Sequence, residues 1–179
     1  AGGPQHEDIE QRYHVSQTNF YPVTSCQMYW LRRMINSRRP LEEKIALFWH
    51  GVFATGFTKL FQARSVLQQI DIFRRFGFGK FNTLLDQISR DPSMIFWLDN
   101  KDNHRVAVNE NYGRELLELF SMGVGNYTED DVRQASRTFT GWTIGDAGYH
   151  SAKAERCSAW PYGDLAPHFE HQGGDHDER

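Results

Sequence analysis

Apolar residues recur at helical spacing through most of the chain. After Pro22, Met28, Leu31 and Ile35, together with Trp30 and Met34, fall three and four residues apart, which places side chains on one side of a helix. Ser37 to Pro40 breaks that pattern. Pro40 then opens a second helix, with Glu42 and Glu43 at its positive end. Leu41, Ile45, Phe48, Trp49, Val52 and Phe53 form one broad apolar face on it. The same reading predicts main helices over 40–56, 59–76, 109–122 and 129–139, with shorter ones over 81–89 and from Pro92 to Leu98. Gly77, Gly79, Gly123, Gly125 and Gly141 supply the stops, and Thr128 with Asp131 supplies a capping box. Asp99 to Val108 reads as a polar loop. Trp49, Phe53, Leu116 and Phe120 are expected in one core. The fold is therefore all-α: a bundle-like domain of about six helices.

Beyond Trp142 the period disappears, and Gly, His, Pro and Asp become frequent. This divides the chain into a helical domain, 1–144, and an irregular C-terminal extension, 145–179, expected to be the start of a following region and to need the rest of its polypeptide. Composition narrows the functional classes. Five Trp and thirteen Phe furnish large buried areas, while a net charge of −3 argues against non-specific nucleic-acid binding, which needs a basic surface. Arg32, Arg33, Arg38 and Arg39 make a local basic cluster of the kind usual at a solvated helix end. Cys26 and Cys157 leave room for one disulfide and exclude a cysteine-rich zinc site. No run approaches the roughly 20 apolar residues of a membrane span.

Candidate chemistry lies in three places. On the helix from Asn109, a step of about 100° per residue aligns Glu110, Arg114 and Glu118, with Glu115 on the flank. Such a cluster can hold a divalent metal or carry a proton. It can equally be a ladder of ion pairs. His50 sits at the edge of its helix's apolar face, where an imidazole serves as ligand, as acid/base, or as a hydrogen-bonded boundary residue. The tail collects His150, His168, His171 and His176 with Asp164, Asp175 and Asp177, donors that suit zinc, iron or manganese at spacings that match no closed zinc motif. Gly77-Phe-Gly79 lacks the third glycine and preceding strand of a dinucleotide loop, and no Gly-x-Ser-x-Gly elbow occurs.

Three blocks of sequence carry a family resemblance: Pro40-Leu-Glu-Glu-Lys-Ile-Ala-Leu-Phe-Trp-His50 with Phe53-Ala-Thr; Arg90-Asp-Pro-Ser-Met94 with Trp97-Leu-Asp-Asn100; and Asn109-Glu-Asn-Tyr-Gly-Arg-Glu-Leu-Leu-Glu-Leu-Phe120, continuing through Tyr127-Thr-Glu-Asp-Asp-Val132 to Thr140-Gly-Trp142. In order and spacing the chain resembles the bacterial domain of unknown function 1800 family, and Phe169 to Asp177 is similar to that family's segment beyond the third block. The family often has a second histidine two residues after the one matching His50; here Val52 stands there. The resemblance implies an internal piece of an exported protein, periplasmic or extracellular, with an exported sulfatase-like protein as partner.

Two functional expectations result. One is a metal-assisted enzyme, with Glu110, Arg114, Glu115, Glu118 and His50 as its catalytic group and His50, Glu115, Glu118, His176 and Asp177 as ligands of a divalent metal. The other is a non-catalytic scaffold of the cell envelope, with the same carboxylates forming a salt-bridge stripe. They differ in whether His50 meets Glu115 or Glu118 in space.

Overall fold

The computed structural model describes residues 22–56, 58–60, 63–145 and 168–177. Among them the chain is mostly helical, with seven α-helices and a two-stranded sheet. Helix α1 spans Pro22–Asn36, α2 Pro40–Val52, α3 Ala63–Phe76, α4 Phe81–Ser89 and α5 Pro92–Trp97. After a 3-10 turn at Asn100–Asp102 come α6, Asn111–Glu118, and α7, Glu129–Thr138. No helix among the described residues is long and apolar enough to cross a membrane.

The helix starts reflect local chemistry. Pro40 occupies the first turn of α2, with Glu42 and Glu43 behind it. Asp91 caps α5 by accepting the Met94 amide at 3.0 Å. Thr128 and Asp131 form the reciprocal capping box at the head of α7. Helix α6 is shorter than its apolar period predicts. Beyond Glu118 the chain widens into a turn in which the amides of Met122 and Gly123 both donate to the Leu117 carbonyl. Gly123 then takes a φ of 81°, where a side chain would be strained.

Helix α2 packs on α3 and α6 on α7, with α4 and α5 between them in the chain and bound to α3. The main core gathers Ala46, Phe53, Ile70, Phe73, Leu84 and Phe120, among others. Phe53 and Phe120 meet at 4.9 Å between ring centroids, while Trp49 and Leu116 lie half-buried against the same core. One part of the expected apolar face is not covered: Leu41, Phe48 and Val52 on α2 are exposed. The face is wider than the body that packs on it.

The polar loop after α5 is wired rather than loose. Asn100 donates to the carbonyls of Phe139 and Trp142 at 3.2 and 3.0 Å, and Asn103 to that of Ser136 at 2.8 Å. The Asn109 amide donates back to Asn103 Oδ1 at 2.9 Å. Past Gly141, strand β1, Trp142–Gly145, pairs antiparallel with β2, His168–His171, in the register Trp142 opposite His171 and Gly145 opposite His168. A 3-10 turn comes next, at Gly173–Asp175. The C-terminal region is thus irregular apart from one short strand and one turn among its described residues. Residues 146–167, including His150, Cys157 and Asp164, lie outside them.

Candidate functional site

The carboxylate stripe of α6 faces α7. Arg114 grips Glu129 with both guanidinium arms, Nη1 to Oε1 at 2.9 Å and Nη2 to Oε2 at 2.7 Å. Glu110 lies within 3.4 Å of the same arginine and 3.7 Å of Arg133. These groups are between one-third and two-thirds exposed, so the network is a surface ladder linking two helices. The Arg114 hydrogen bond holds the Glu129 carboxyl below its usual range. Further along, Glu118 accepts the Tyr127 hydroxyl at 2.9 Å. Glu115 has its carboxyl raised, first by partial burial and then by the charge of Glu118, with Arg114 opposing.

His50 belongs to a different neighbourhood. Its ring meets the edge of Trp30 at 5.4 Å and tilts toward Phe73 at 6.4 Å. Nδ1 is buried and makes no hydrogen bond of good geometry among the described residues. Burial pushes the imidazole pKa down, and neighbouring Gln69 opposes that shift. Gln69 is itself the centre of a buried polar seam: Thr55 Oγ1 donates to its Oε1 at 2.8 Å, and its Nε2 donates to Asp91 Oδ2 at 2.8 Å. Burial drives the Asp91 carboxyl up to about 7, against the Met94, Gln69 and Ser93 groups that favour the charged form.

A second buried polar group lies between α1, α2 and α3. Glu43, 2 % exposed, accepts from Arg74 Nε and Nη2 at 3.0 Å, from Arg33 Nε at 2.6 Å and from Trp30 Nε1 at 3.0 Å. Trp30 thus touches both Glu43 and His50. Glu43 and Asp91 lie in the family blocks, but nothing in those blocks marks either as buried, and Gln69 lies in none. The available signal was position: Glu43 and Gln69 interrupt the inward faces of apolar helices, three residues before Ala46 and before Ile72 respectively, and a buried polar residue needs a partner.

At the C-terminus, His176 Nδ1 lies 2.9 Å from the Thr140 carbonyl. Asp177 accepts from Arg137 Nε at 2.9 Å, and its amide donates to Thr140 Oγ1 at 2.8 Å. Asp175 lies against His104 and accepts the Arg105 amide at 3.0 Å. Asp175, His176 and Asp177 therefore fasten the segment to the α7 end and the 104–107 loop.

No group of three or more His, Cys, Asp or Glu side chains among the described residues is arranged to hold a metal ion. Among the described residues, His50, Glu115, Glu118, His176 and Asp177 belong to no such group. Several of the expected groups are held by other neighbours. Glu110 and Arg114 are engaged by α7, Glu118 by Tyr127, and His50 by the aromatic rings of α1 and α3.

The family blocks thus lie in a mostly helical body, where many of their polar groups serve caps, loop wiring and interhelical pairs. The chain belongs to the family described as "Protein of unknown function (DUF1800)", whose pattern matches residues 6–175. No curated protein and no solved structure matches it.

Proposed function

We propose that the chain is a non-catalytic helical scaffold within an exported bacterial protein, holding a partner in the cell envelope. The observation that supports this is the fate of the polar residues in the family blocks. Arg114 is forked onto Glu129, Asn100 and Asn103 are spent on backbone carbonyls, and Glu118 takes the Tyr127 hydroxyl. A catalytic constellation instead keeps a nucleophile, base or ligand set converging on a shared point. Export and a sulfatase-like partner rest on the family resemblance and form part of the same proposal.

The test compares the full chain, purified without chelators or a histidine tag, with Glu115→Gln and Glu118→Gln. The scaffold reading expects no stoichiometric metal in any of the three and a stability loss of a few tenths of a kcal/mol, as for surface helix pairs. About one metal per chain, lost in either variant, would overturn it. A second reading, proton-transfer chemistry, is favoured by one observation: His50, Gln69 and the neutral-range Asp91 carboxyl adjoin one another. Asp91 and Gln69 are essentially inaccessible to solvent, which favours the scaffold.

A further inference from the structure

Helices α1 and α2 are apolar on the side away from the body as well as on the side facing it. Inward, Cys26 and Tyr29 of α1 and Ala46 of α2 are buried, as is Phe53 at the end of α2. Outward, Met28, Leu31 and Ile35 run along one stripe of α1, and Leu41, Phe48 and Val52 along one stripe of α2, from 38 % exposed at Val52 to 73 % at Ile35. Several large apolar side chains grouped on a surface mark an interaction site.

The charge around this face is opposite to that of the whole chain. The chain carries a net −3, yet α1 contains no acidic residue, and α2 contains only Glu42 and Glu43. Glu43 is buried against Arg33 and Arg74, and Glu42 lies 3.8 Å from Arg39. Arg32, Arg38, Arg39 and Lys44 are all exposed. The apolar stripes therefore have a cationic rim, with the α1–α2 turn among its most basic parts.

We propose that the outer face of α1 and α2 docks on an anionic lipid surface, with both helices lying in the plane of the interface. Apolar side chains that enter the acyl boundary, flanked by cations that meet acidic headgroups, are the two components of interfacial binding. Two copies related by a two-fold axis would bring the same cationic rims together, which is repulsive. The exposed stripes are aliphatic with one Phe and hold no polar group to fix the register of a protein partner. This face is separate from the α6–α7 ladder, so the scaffold reading does not depend on it.

The experiment is co-flotation of the full chain with phosphatidylcholine vesicles, with and without about 30 % phosphatidylglycerol. Binding to the anionic vesicles is expected to exceed binding to the neutral ones by about tenfold or more and to weaken steeply with added salt. Ile35→Ser combined with Phe48→Ser, and separately Arg38→Glu combined with Lys44→Glu, should each abolish most of it without moving the unfolding midpoint. Val124→Ser, an exposed apolar site elsewhere, should bind like the wild type. Absent binding, equal binding to neutral and anionic vesicles, or equal loss in Val124→Ser would overturn the proposal. So would concentration-dependent self-association in sedimentation equilibrium that Ile35→Ser with Phe48→Ser removes, which would assign the face to a second copy.

Discussion

Glu43 and Asp91 are both buried carboxylates, and their surroundings push their protons in opposite directions. Burial resists ionisation of Glu43, but the hydrogen bonds and charges of Arg74 and Arg33 outweigh it and hold the carboxyl below its ordinary 4.5. A depressed folded pKa gives stability that is complete above the unfolded value and is lost as pH falls below it. Glu43→Ala also strips Arg74, whose side chain is 6 % exposed, of its main counter-charge. Loss of about 3–5 kcal/mol is expected in urea unfolding at neutral pH; a loss under about 1 kcal/mol would mean the pair is solvated. Asp91 has the opposite sign. Its folded pKa of about 7 lies above the ordinary 3.8, so the native state binds the proton more tightly, and stability declines as pH rises from 3.8 towards 7. The decline is on the order of 4 kcal/mol at about 1.4 kcal/mol per pH unit. Asp91→Asn keeps an oxygen for the Met94 cap and the Gln69 amide while removing the titration. It should flatten that slope and match or exceed wild-type stability at about pH 8. An unchanged slope in the variant would assign the pH dependence to another group.

At the scale of elements, α6 and α7 approach so closely that glycine is required between them. A Cβ on Gly113 would lie 2.1 Å from Ser136 Oγ and 2.8 Å from the Ser136 amide nitrogen. Gly113→Leu should therefore cost about 1–3 kcal/mol or more, as overpacking does. Gly125→Ala makes a useful contrast, since its Cβ would meet no atom within 4 Å and the penalty there comes only from a φ of 86°. If calorimetry finds the two variants equally stable, the helices are further apart than described. Gly113 also shows what the sequence could and could not convey. The apolar period and the Thr128–Asp131 box located α6 and α7 to within a few residues, because those signals are local. The partner of Arg114 was not legible: Glu110 and Glu118 are one turn away on the same helix, whereas the bidentate bond goes to Glu129 on the next. The same limit hid the Thr55–Gln69–Asp91 seam, whose members come from separate segments. It also hid the strand pairing of 142–145 with 168–171, since neither stretch has enough alternating residues to signal a strand.

For the molecule as a whole, the question is how the segment 168–177 is tied to the helices. An aromatic column runs from Tyr112 through Phe139 and Trp142 to Phe169, with successive ring centroids 4.8, 5.0 and 5.0 Å apart. Arg90 lies over the last two rings. On the other side, Gly141 takes a φ of 75°, and a Cβ there would lie 2.6 Å from the Gln172 carbonyl, so the two strands close without a side chain between them. The Gln172 amide returns to the Gly141 carbonyl at 2.8 Å. Asp177, buried at the end, joins Arg137 and Thr140 in one hydrogen-bonded corner. Asp177→Ala leaves Arg137 without that carboxylate, keeps the backbone amide bond to Thr140, and touches nothing in the α2–α3 core. The expected consequence is local: amide exchange at Gln172 and around residue 176 should accelerate about tenfold or more, with protection in α2, α3 and α4 unchanged. Should exchange rise equally in those helices, the segment would be part of the global folding unit rather than a strap laid on it, and the corner at Thr140 would count as core.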